Sequence, residues 1–422
     1  MKMLEADFNF HPIGQGCFYS GLLSFEKIPS LRFNFVYDCG TDSIRKYLEE
    51  EIDDYKNGLV GNDLDLLVIS HFDADHVNGV SKLLDGIRCR RVIIPYYEPI
   101  ERLLLSITSN KVDEDYLRFL QNPISFLSNP DRFRVDEIII IGGPPEEGEV
   151  NNLNPENTNP IQGKSLEEFV KDIGDLKELR CQGIFYGIDD SDSTALRIRR
   201  LEPADTNFTE VKFLAKPYKV QFDIWEYFFY LKKHDNFLLI KKFTDDVNHL
   251  LSANGLSIFD LFDEDNVEEL KKIYRSYYGQ NLNCTSLVTF HGPLFNSENY
   301  QHHFYGYDWF WCNKERTCGT LLTGDIDLNS KKKTNALIKY FNSYLDQVCI
   351  FQIPHHGSKY NWYRKHPNGL ESFCNYIINH GVGRKSHPSP EVIEYLKANC
   401  HGTIHLNNEV KNLNYGFNFY FP

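Results

Sequence analysis

The segment His-Phe-Asp-Ala-Asp-His at residues 71–76 constrains the fold of this chain more than any other. It places four side chains that can bind metal within six positions, those of His71, Asp73, Asp75 and His76. The segment directly follows the apolar run at residues 66–69, which the pattern predicts to be a buried strand. A strand that ends in a tight turn can direct several side chains to one point. Two imidazoles and two carboxylates at one point can hold divalent metal.

Three segments further along the chain also place ligand-type side chains where a strand meets a loop. Residues 320–325 end in Gly-Asp at Asp325, and residues 349–356 end in the pair His355 and His356. The third segment, residues 383–388, contains His387 and comes just before a helical pattern. Sites in layered α/β proteins lie at such strand ends, so we expect the four segments to meet at one site.

Together these segments resemble the signature of the metallo-β-lactamase fold superfamily, and most closely that of the hydrolase domain of ComEC-type DNA-uptake proteins. The family's pattern is similar to His-x-Asp-x-Asp-His, Thr-Gly-Asp, Pro-His-His-Gly-Ser and Ser/Gly-His-Pro. Here these stand at residues 71–76, 323–325, 354–358 and 386–388. The early segments 14–20 and 33–40 also resemble the opening strands of that fold. The resemblance covers roughly residues 8–100 and 281–410.

The resemblance implies an α/β fold, a four-layer αββα sandwich with a large mixed insertion. Residues 1–100 would form the N-terminal half of the core and residues 281–422 the C-terminal half. Residues 101–280 would be an insertion that contributes some core strands, because residues 138–141 are four consecutive isoleucines that look fully buried. A helix is predicted over residues 78–86, directly after the first motif. The rest of the insertion is predicted to face a substrate or a protein partner.

Two departures from the superfamily pattern affect the expected metals. Asp73 stands where the common pattern has a histidine, as in the ComEC-like branch. The histidine expected just before the strand that leads to Gly-Asp is absent from residues 281–288. One metal position would therefore have more oxygen donors, and oxygen donors suit harder ions. We expect two divalent ions, zinc or manganese, with magnesium as a further possibility.

The resemblance also implies a role for each residue. One ion would lie on His71 and Asp73, and Asp325 would bridge it to a second ion. The predicted metal ligands are His71, Asp73, Asp75, His76, Asp325 and His356, with His356 preferred over His355 because it directly precedes Gly357. The predicted catalytic residues are Asp75, His355 and His387, and the predicted substrate-binding residues are Asn283, Ser358 and Lys359. His387 could instead be a late ligand or a surface residue.

Other polar residues have two readings from the sequence. Asp38, at the end of an early strand, either orients a metal-bound histidine or caps a turn. His291, His302 and His303 could replace the missing ligand, but surface or loop positions are the favoured prediction.

The composition limits the choice of substrate and compartment. The formal net charge of −14 counts against tight non-specific binding of nucleic acid, although metal ions could supply local positive charge. The ten cysteines show no zinc-ribbon spacing. There is no signal peptide and no apolar run long enough to span a membrane. We expect a reduced, soluble, cytoplasmic protein without a membrane partner.

Three functions are compatible with these patterns. The first is a metal-dependent phosphodiesterase, a nuclease acting on DNA, which by analogy would be an effector of a multi-gene antiviral defence system. The second is a hydrolase of a small ester, lactone or cyclic nucleotide, which the acidic balance and sparse basic runs favour. The third is a scaffold with a degenerate metal site, whose insertion binds a protein partner.

Overall fold

The computed structural model describes most of the chain outside the predicted insertion. The described residues are 2–26, 28–59, 63–97, 113–142, 209–214, 219–222, 225–232, 286–293, 301–306, 318–362 and 375–421, with a few single positions between them. Asn283 lies outside these residues, so its predicted contact with a substrate stays a prediction.

Ten strands form the first sheet of the described structure, in the order β12-β17-β1-β2-β3-β5-β6-β7-β8, with β4 paired to β6. The strands are β1 (Lys2–Phe10), β2 (Gly16–Phe25), β3 (Ile28–Thr41), β4 (Asp63–Leu64), β5 (Leu66–Val68), β6 (Arg88–Pro95), β7 (Arg134–Ile141), β8 (Glu210–Leu214), β12 (Gln301–Gly306) and β17 (Leu413–Phe421). Strands β1 to β3 are antiparallel, whereas β3, β5, β6, β7 and β8 run parallel.

Seven strands form the second sheet, in the order β16-β15-β14-β13-β11-β10-β9. They are β9 (Lys219–Phe222), β10 (Trp225–Lys232), β11 (Ser286–Pro293), β13 (Gly319–Leu322), β14 (Val348–Gln352), β15 (Asn375–Asn379) and β16 (Thr403–Asn407). Strands β13 to β16 are parallel, so their carboxyl ends lie along one edge of this sheet. That edge carries the three C-terminal motifs.

Helices flank both sheets. They are α1 (Arg45–Gly58), α2 (Ala74–Val77), α3 (Val80–Leu84), α4 (Glu114–Gln121), α5 (Pro123–Leu127), α6 (Lys331–Leu345) and α7 (Pro390–Asn399), with a 3-10 turn at His355–Gly357. Three of these described helices, α4, α5 and α6, begin with a side-chain cap. The Asp113 side chain accepts a hydrogen bond from the Tyr116 amide at the start of α4, and Ser330 accepts one from the Lys333 amide at the start of α6. None of the helices within the described residues is long and apolar enough to cross a membrane.

Three separate hydrophobic clusters establish the layers. The middle cluster joins the two sheets, with Phe35 and Ile139 from the first and Phe229 and Ile350 from the second. One outer cluster packs the helices α1 and α3 to α5 on the first sheet. The other packs α6 and α7 on the second sheet. Three apolar interfaces separate four layers, so the architecture is the expected αββα sandwich.

The four isoleucines at residues 138–141 pack alternately into two of these clusters. Ile138 and Ile140 belong to the outer cluster under the helices, whereas Ile139 and Ile141 belong to the cluster between the sheets. Side chains alternate between the faces of a strand, so a strand covered on both faces is apolar at every position. The prediction of a fully buried strand here is confirmed, within β7.

Strands β7 to β10 all come from the region expected to be an insertion. Strand β10 lies inside the second sheet, and each of its eight residues is buried. Trp225, Tyr227 and Phe229 face the other sheet, and Phe228 and Tyr230 face the helical layer. The described part of residues 101–280 therefore includes strands of both sheets.

The helix predicted over residues 78–86 is shorter in the structure, where α3 covers Val80–Leu84. A separate short helix, α2, precedes it and ends at Val77, so a break of two residues lies between them. The break arises because Asn78 binds the backbone of Thr41 through both side-chain atoms, while the Gly79 amide donates to the Cys39 carbonyl. These bonds attach the motif loop to the end of β3 and interrupt the helical ladder.

Candidate metal centre

Seven of the predicted site residues meet where the ends of β5, β13 and β14 come together. His71, Asp73, Asp75 and His76 follow β5 in the first sheet, and Asp325, His355 and His356 follow β13 and β14 in the second. Backbone hydrogen bonds hold the segments in place. The Leu287 amide donates to the Ser70 carbonyl across the sheets, and the His355 amide donates to the Gly324 carbonyl.

The Asp325 carboxylate lies at the middle of the group. Its Oδ1 is 3.3 Å from His76 Nε2, and its Oδ2 is 3.6 Å from His71 Nε2. The same Oδ2 is 3.6 Å from His355 Nε2. Asp325 thus faces three imidazoles through two oxygens, a position that suits the bridging role implied by the sequence.

The remaining two carboxylates lie on opposite sides of Asp325. Asp73 Oδ2 is 3.5 Å from His71 Nε2. Asp75 Oδ2 is 3.0 Å from His356 Nε2 and 4.0 Å from His76 Nε2. Two triplets, His71 with His76 and Asp325, and Asp75 with His76 and His356, each place their ligand atoms within 4.8 Å of one another.

All four histidines are oriented in the same way, through Nδ1. His76 donates to Asp38 Oδ2 at 2.7 Å, His71 to Ser70 Oγ at 2.7 Å, His355 to Asn361 Oδ1 at 2.7 Å and His356 to the Asn379 carbonyl at 3.0 Å. Because Nδ1 carries the hydrogen in each bond, a neutral ring presents the lone pair of Nε2 to the centre. This common orientation prepares four nitrogen donors for a cation.

Asp38 orients two of these rings, that of His76 directly and that of His71 through Ser70. Its carboxylate is fully buried and accepts hydrogen bonds from the Ser70 amide, the Ser70 hydroxyl and His76. The Ser70 hydroxyl in turn accepts from His71. Asp38 has a backbone φ of 57°, a conformation that costs energy in a residue other than glycine. Of the two readings from the sequence, the structure shows the orientation of a histidine.

The close approach of strand β3 to the motif loop requires a glycine at position 40. A Cβ atom on Gly40 would lie 2.6 Å from the amide nitrogens of His76 and Val77. Real contacts of that kind do not occur, so a side chain at this position would displace the helix that carries His76. The short distance between β3 and the motif loop is what brings Asp38 to His76.

Four buried atoms of the centre have no hydrogen-bond partner among the described residues. They are His71 Nε2, Asp73 Oδ2, His76 Nε2 and Asp325 Oδ1. Buried polar atoms of native proteins are nearly always paired, and these four are all acceptors that face one another. A bound cation would satisfy such a set of converging lone pairs. The residues present therefore fit divalent metal, with mixed nitrogen and oxygen donors.

In the absence of metal, protons on the histidines would supply the positive charge that these acceptors attract. Burial and the neighbouring His76 oppose protonation of His71, but Asp325 and Asp73 outweigh them and raise its pKa to about 9. Burial likewise opposes the charge on His76, but Asp325 and Asp38 raise its pKa well above the usual value. Burial opposes ionisation of Asp325, yet the surrounding histidines hold its pKa well below its ordinary value. The centre thus has a strong electrostatic demand for positive charge.

His387 lies beside the centre and does not contact its carboxylates in the described structure. Its ring stacks on that of His355, with centroids 5.5 Å apart and planes inclined by 20°, and lies 6.1 Å from that of His356. Burial, together with these two histidines, lowers the pKa of His387 to about 4. A neutral, half-buried imidazole therefore stands at the edge of the centre.

The other two predicted substrate contacts are engaged elsewhere. Ser358 is buried, and its hydroxyl accepts from the Tyr360 amide at 3.3 Å. Lys359 Nζ lies 2.9 Å from Glu391 at the start of α7. An exposed pair of this kind is worth at most about 1 kcal/mol, so Lys359 could exchange Glu391 for a phosphate at little cost.

The expectation that His291 lies at the surface or in a loop is wrong. His291 is fully buried in β11 between the sheets. Its Nδ1 accepts from Trp225 Nε1 at 3.2 Å, and its Nε2 is 3.0 Å from the Tyr19 hydroxyl. Burial lowers its pKa to about 3. Both nitrogens are therefore used within the core. His302 and His303 lie in β12, where only the backbone is described.

Sequence reasoning missed the polar residues that support the ligands. Ser286, in the segment that lacks the expected histidine, accepts a hydrogen bond from the Asp325 amide at 2.9 Å. Asn361 accepts from His355 and donates to the Asp325 carbonyl, so it fixes two of the predicted ligands. Gln352 Oε1 accepts from the amides of Thr323 and Gly324. No local pattern distinguishes these residues from ordinary loop or strand residues.

A family model matches the part of the chain that contains the first motif. Residues 32–155 match the family model described as Metallo-beta-lactamase superfamily, a span that includes Asp38 and the motif at 71–76. A search of curated proteins gives no match. Among solved structures, the chain is similar to the metallo-beta-lactamase fold protein YhfI from Bacillus subtilis, with 8% sequence identity over 97% of this chain and 99% of that chain and a TM-score of 0.33. Residues 32–155 are therefore similar to the metallo-β-lactamase superfamily, a similarity that is consistent with a metal-dependent hydrolase and with the αββα sandwich described above.

Proposed function

We propose that the protein is a metal-dependent phosphodiesterase that cleaves DNA and uses two divalent ions. The observation that supports it best is the set of converging acceptors, in which three aspartates and four oriented histidines share one buried centre. A donor set this rich in carboxylate oxygen suits manganese and magnesium as well as zinc. Such ions are suited to reactions at phosphate groups.

The distances divide the donors into two groups. His71, Asp73 and His355 would hold one ion, since the two histidines face the same oxygen of Asp325. Asp75, His76 and His356 would hold the other, with Asp325 contributing to both. When bound, divalent ions would provide a nucleophile at neutral pH and neutralise the negative charge that develops on the phosphoryl group.

The protein's own side chains prepare the site for that chemistry. Asp38 and Ser70 fix the tautomers of His76 and His71, so that Nε2 points inwards. His387, at the edge of the centre beside His355, keeps the catalytic role predicted from the sequence. Because its lowered pKa leaves the ring neutral, we assign it to donate a hydrogen bond to the oxygen of the leaving group. Lys359 would bind a neighbouring phosphate after leaving Glu391.

The experiment is metal analysis of the pure protein combined with cleavage of labelled single- and double-stranded DNA. Reactions contain manganese, magnesium or zinc, and wild type is compared with Asp75→Ala. Asp53→Ala, which removes an exposed carboxylate paired with Lys82, is the matched control. We expect metal-dependent cleavage that is lost in Asp75→Ala and kept in Asp53→Ala. Bound metal without cleavage of either DNA would refute the nuclease.

One observation favours a second candidate, hydrolysis of a small phosphate ester or cyclic nucleotide. Two cations on the loops next to the centre are already paired, Lys359 with Glu391 and Arg384 with Asp42. A long polyanion gains most from a continuous basic surface, which a chain of net charge −14 does not favour. Cleavage of bis-p-nitrophenyl phosphate or a cyclic nucleotide in the same assay, with DNA left intact, would select this candidate.

A further inference from the structure

A hydrogen-bonded chain of three side chains lies away from the metal centre, where helix α1 meets the hairpin of β1 and β2. His11 Nε2 is 2.8 Å from the Ser20 hydroxyl, and His11 Nδ1 is 2.8 Å from Glu51 Oε2. His11 and Ser20 are both buried, and Glu51 comes from α1. None of the three belongs to the ligands of the metal centre.

The chemistry of the three groups fixes the direction of both bonds. An ionised Glu51 can only accept, so His11 donates its Nδ1 hydrogen to the carboxylate. Burial lowers the pKa of His11, an effect that Glu51 partly offsets, so the ring is neutral near pH 7. The free lone pair of Nε2 then accepts the hydrogen of the Ser20 hydroxyl. This is the arrangement in which a histidine can remove a proton from a serine.

The same serine lies in the wall of a cavity of about 610 Å³ on the outer face of the first sheet. That volume is typical of sites for small molecules. Besides Ser20, the wall contains the side chains of Asn9, Asn34, Asn414 and Tyr55. The Asn9 amide nitrogen lies beside the same ring, 3.1 Å from His11 Nδ1 and 3.4 Å from His11 Nε2.

A second observation points to a ligand in this place. Asn9 Oδ1, Asn414 Oδ1 and the Tyr55 hydroxyl are buried and have no hydrogen-bond partner among the described residues. Three such atoms around one cavity are unusual for a purely structural cluster.

We propose that Ser20, His11 and Glu51 form a second hydrolytic centre that cleaves small neutral acyl esters without metal. Ser20 Oγ bonds to the acyl carbon while its proton passes to His11 Nε2. The bond from that carbon to the ester oxygen breaks, and the alcohol leaves with the proton from His11. Water then gives a proton to His11, attacks the acyl-serine and releases the acid, and the proton returns to Ser20. The amides in the wall can donate to the carbonyl oxygen.

The test uses the whole protein in excess chelator, which removes metal from the other centre. Hydrolysis of p-nitrophenyl butyrate is measured for wild type, Ser20→Ala and Asp75→Ala. Ser24→Ala is the matched control, because Ser24 lies on the same strand and face, outside the cavity wall. We expect Ser20→Ala to lose about 100-fold or more of the rate, and the other two variants to keep it.

A second measurement does not depend on how a variant folds. Wild-type protein is treated with a fluorophosphonate, and the modified residue is located by mass spectrometry. Modification of Ser20 that is blocked by the ester supports the proposal. If Ser20 stays unmodified, or if Ser20→Ala hydrolyses the ester at the wild-type rate, the three residues only attach helix α1 and the proposal is overturned.

Discussion

Replacement of Asp38 by asparagine tests whether the metal centre depends on the residue behind it. The change keeps the shape of the side chain but converts one acceptor oxygen into a donor. Asp38 Oδ2 accepts from both His76 Nδ1 and the Ser70 hydroxyl. A donor at that position would force His76 to move its hydrogen to Nε2, where it would point at the metal.

The structure limits the size of the effect. Asparagine keeps Oδ1, which accepts from the Ser70 amide, but it loses the acceptor of the Ser70 hydroxyl, which in turn orients His71. The bond from His76 sets the tautomer that binds metal. A hydrogen bond to a charged group is worth about 1.5–3 kcal/mol, or roughly a 10- to 150-fold change in affinity. We therefore expect metal affinity to fall about 10- to 100-fold, as is usual for residues that support ligands.

The assay is titration of the metal-free protein with manganese or zinc in competition with a chromogenic chelator. Asp42→Asn is the matched control, since Asp42 lies four residues further on and is half exposed beside Arg384. It should bind metal like the wild type. Circular dichroism shows whether each variant is folded. If folded Asp38→Asn binds metal within twofold of wild type, the role assigned to Asp38 is wrong.

Two further predictions concern stability. In chelator, the raised pKa of His71, about 9 against an ordinary 6.5, contributes up to about 3 kcal/mol that is present below pH 6.5 and lost as the pH rises towards 9. The urea midpoint of the metal-free protein should therefore fall over this range, and a constant midpoint would contradict the electrostatic account. Gly40→Ala should destabilise the protein by more than about 1 kcal/mol and weaken metal binding, because its Cβ would meet the backbone of His76. Gly58→Ala, with open space around the new atom, should do neither, which urea unfolding and the same titration can compare.

The sequence contained enough to predict the layers and the ligand types, because those depend on local order. The motif at 71–76 and the run of isoleucines are continuous in the chain. The isoleucines lie in a buried strand as predicted, whereas the second half of the motif lies in helix α2 and not in a loop. The support of the ligands depends on distant pairs. Asn361 reaches back to Asp325, and Ser286 meets Asp325 from another strand. A serine or asparagine has no feature in the sequence that reveals such a partner.

The errors have the same origin. His291 looked like a loop histidine because it stands in a polar, aromatic stretch, but Trp225 and Tyr19 provide partners that make a buried histidine stable. The helix after the first motif was predicted to begin at Asn78, but α3 begins at Val80. Its later start depends on Asn78 and Gly79 bonding to β3, which local propensity does not include.

The position of the metal centre between the two sheets links the stability of the protein to the supply of metal. Asp75 and His356 are 281 residues apart in the chain, and the donors come from both halves of the sandwich. An ion bound there would be a reversible cross-link between the two halves of the sandwich. Each tenfold excess of free ion over its dissociation constant would add about 1.4 kcal/mol to the free energy of unfolding. In a cell short of metal, the protein would then be less stable as well as inactive. It would unfold more often and would be degraded faster by proteases.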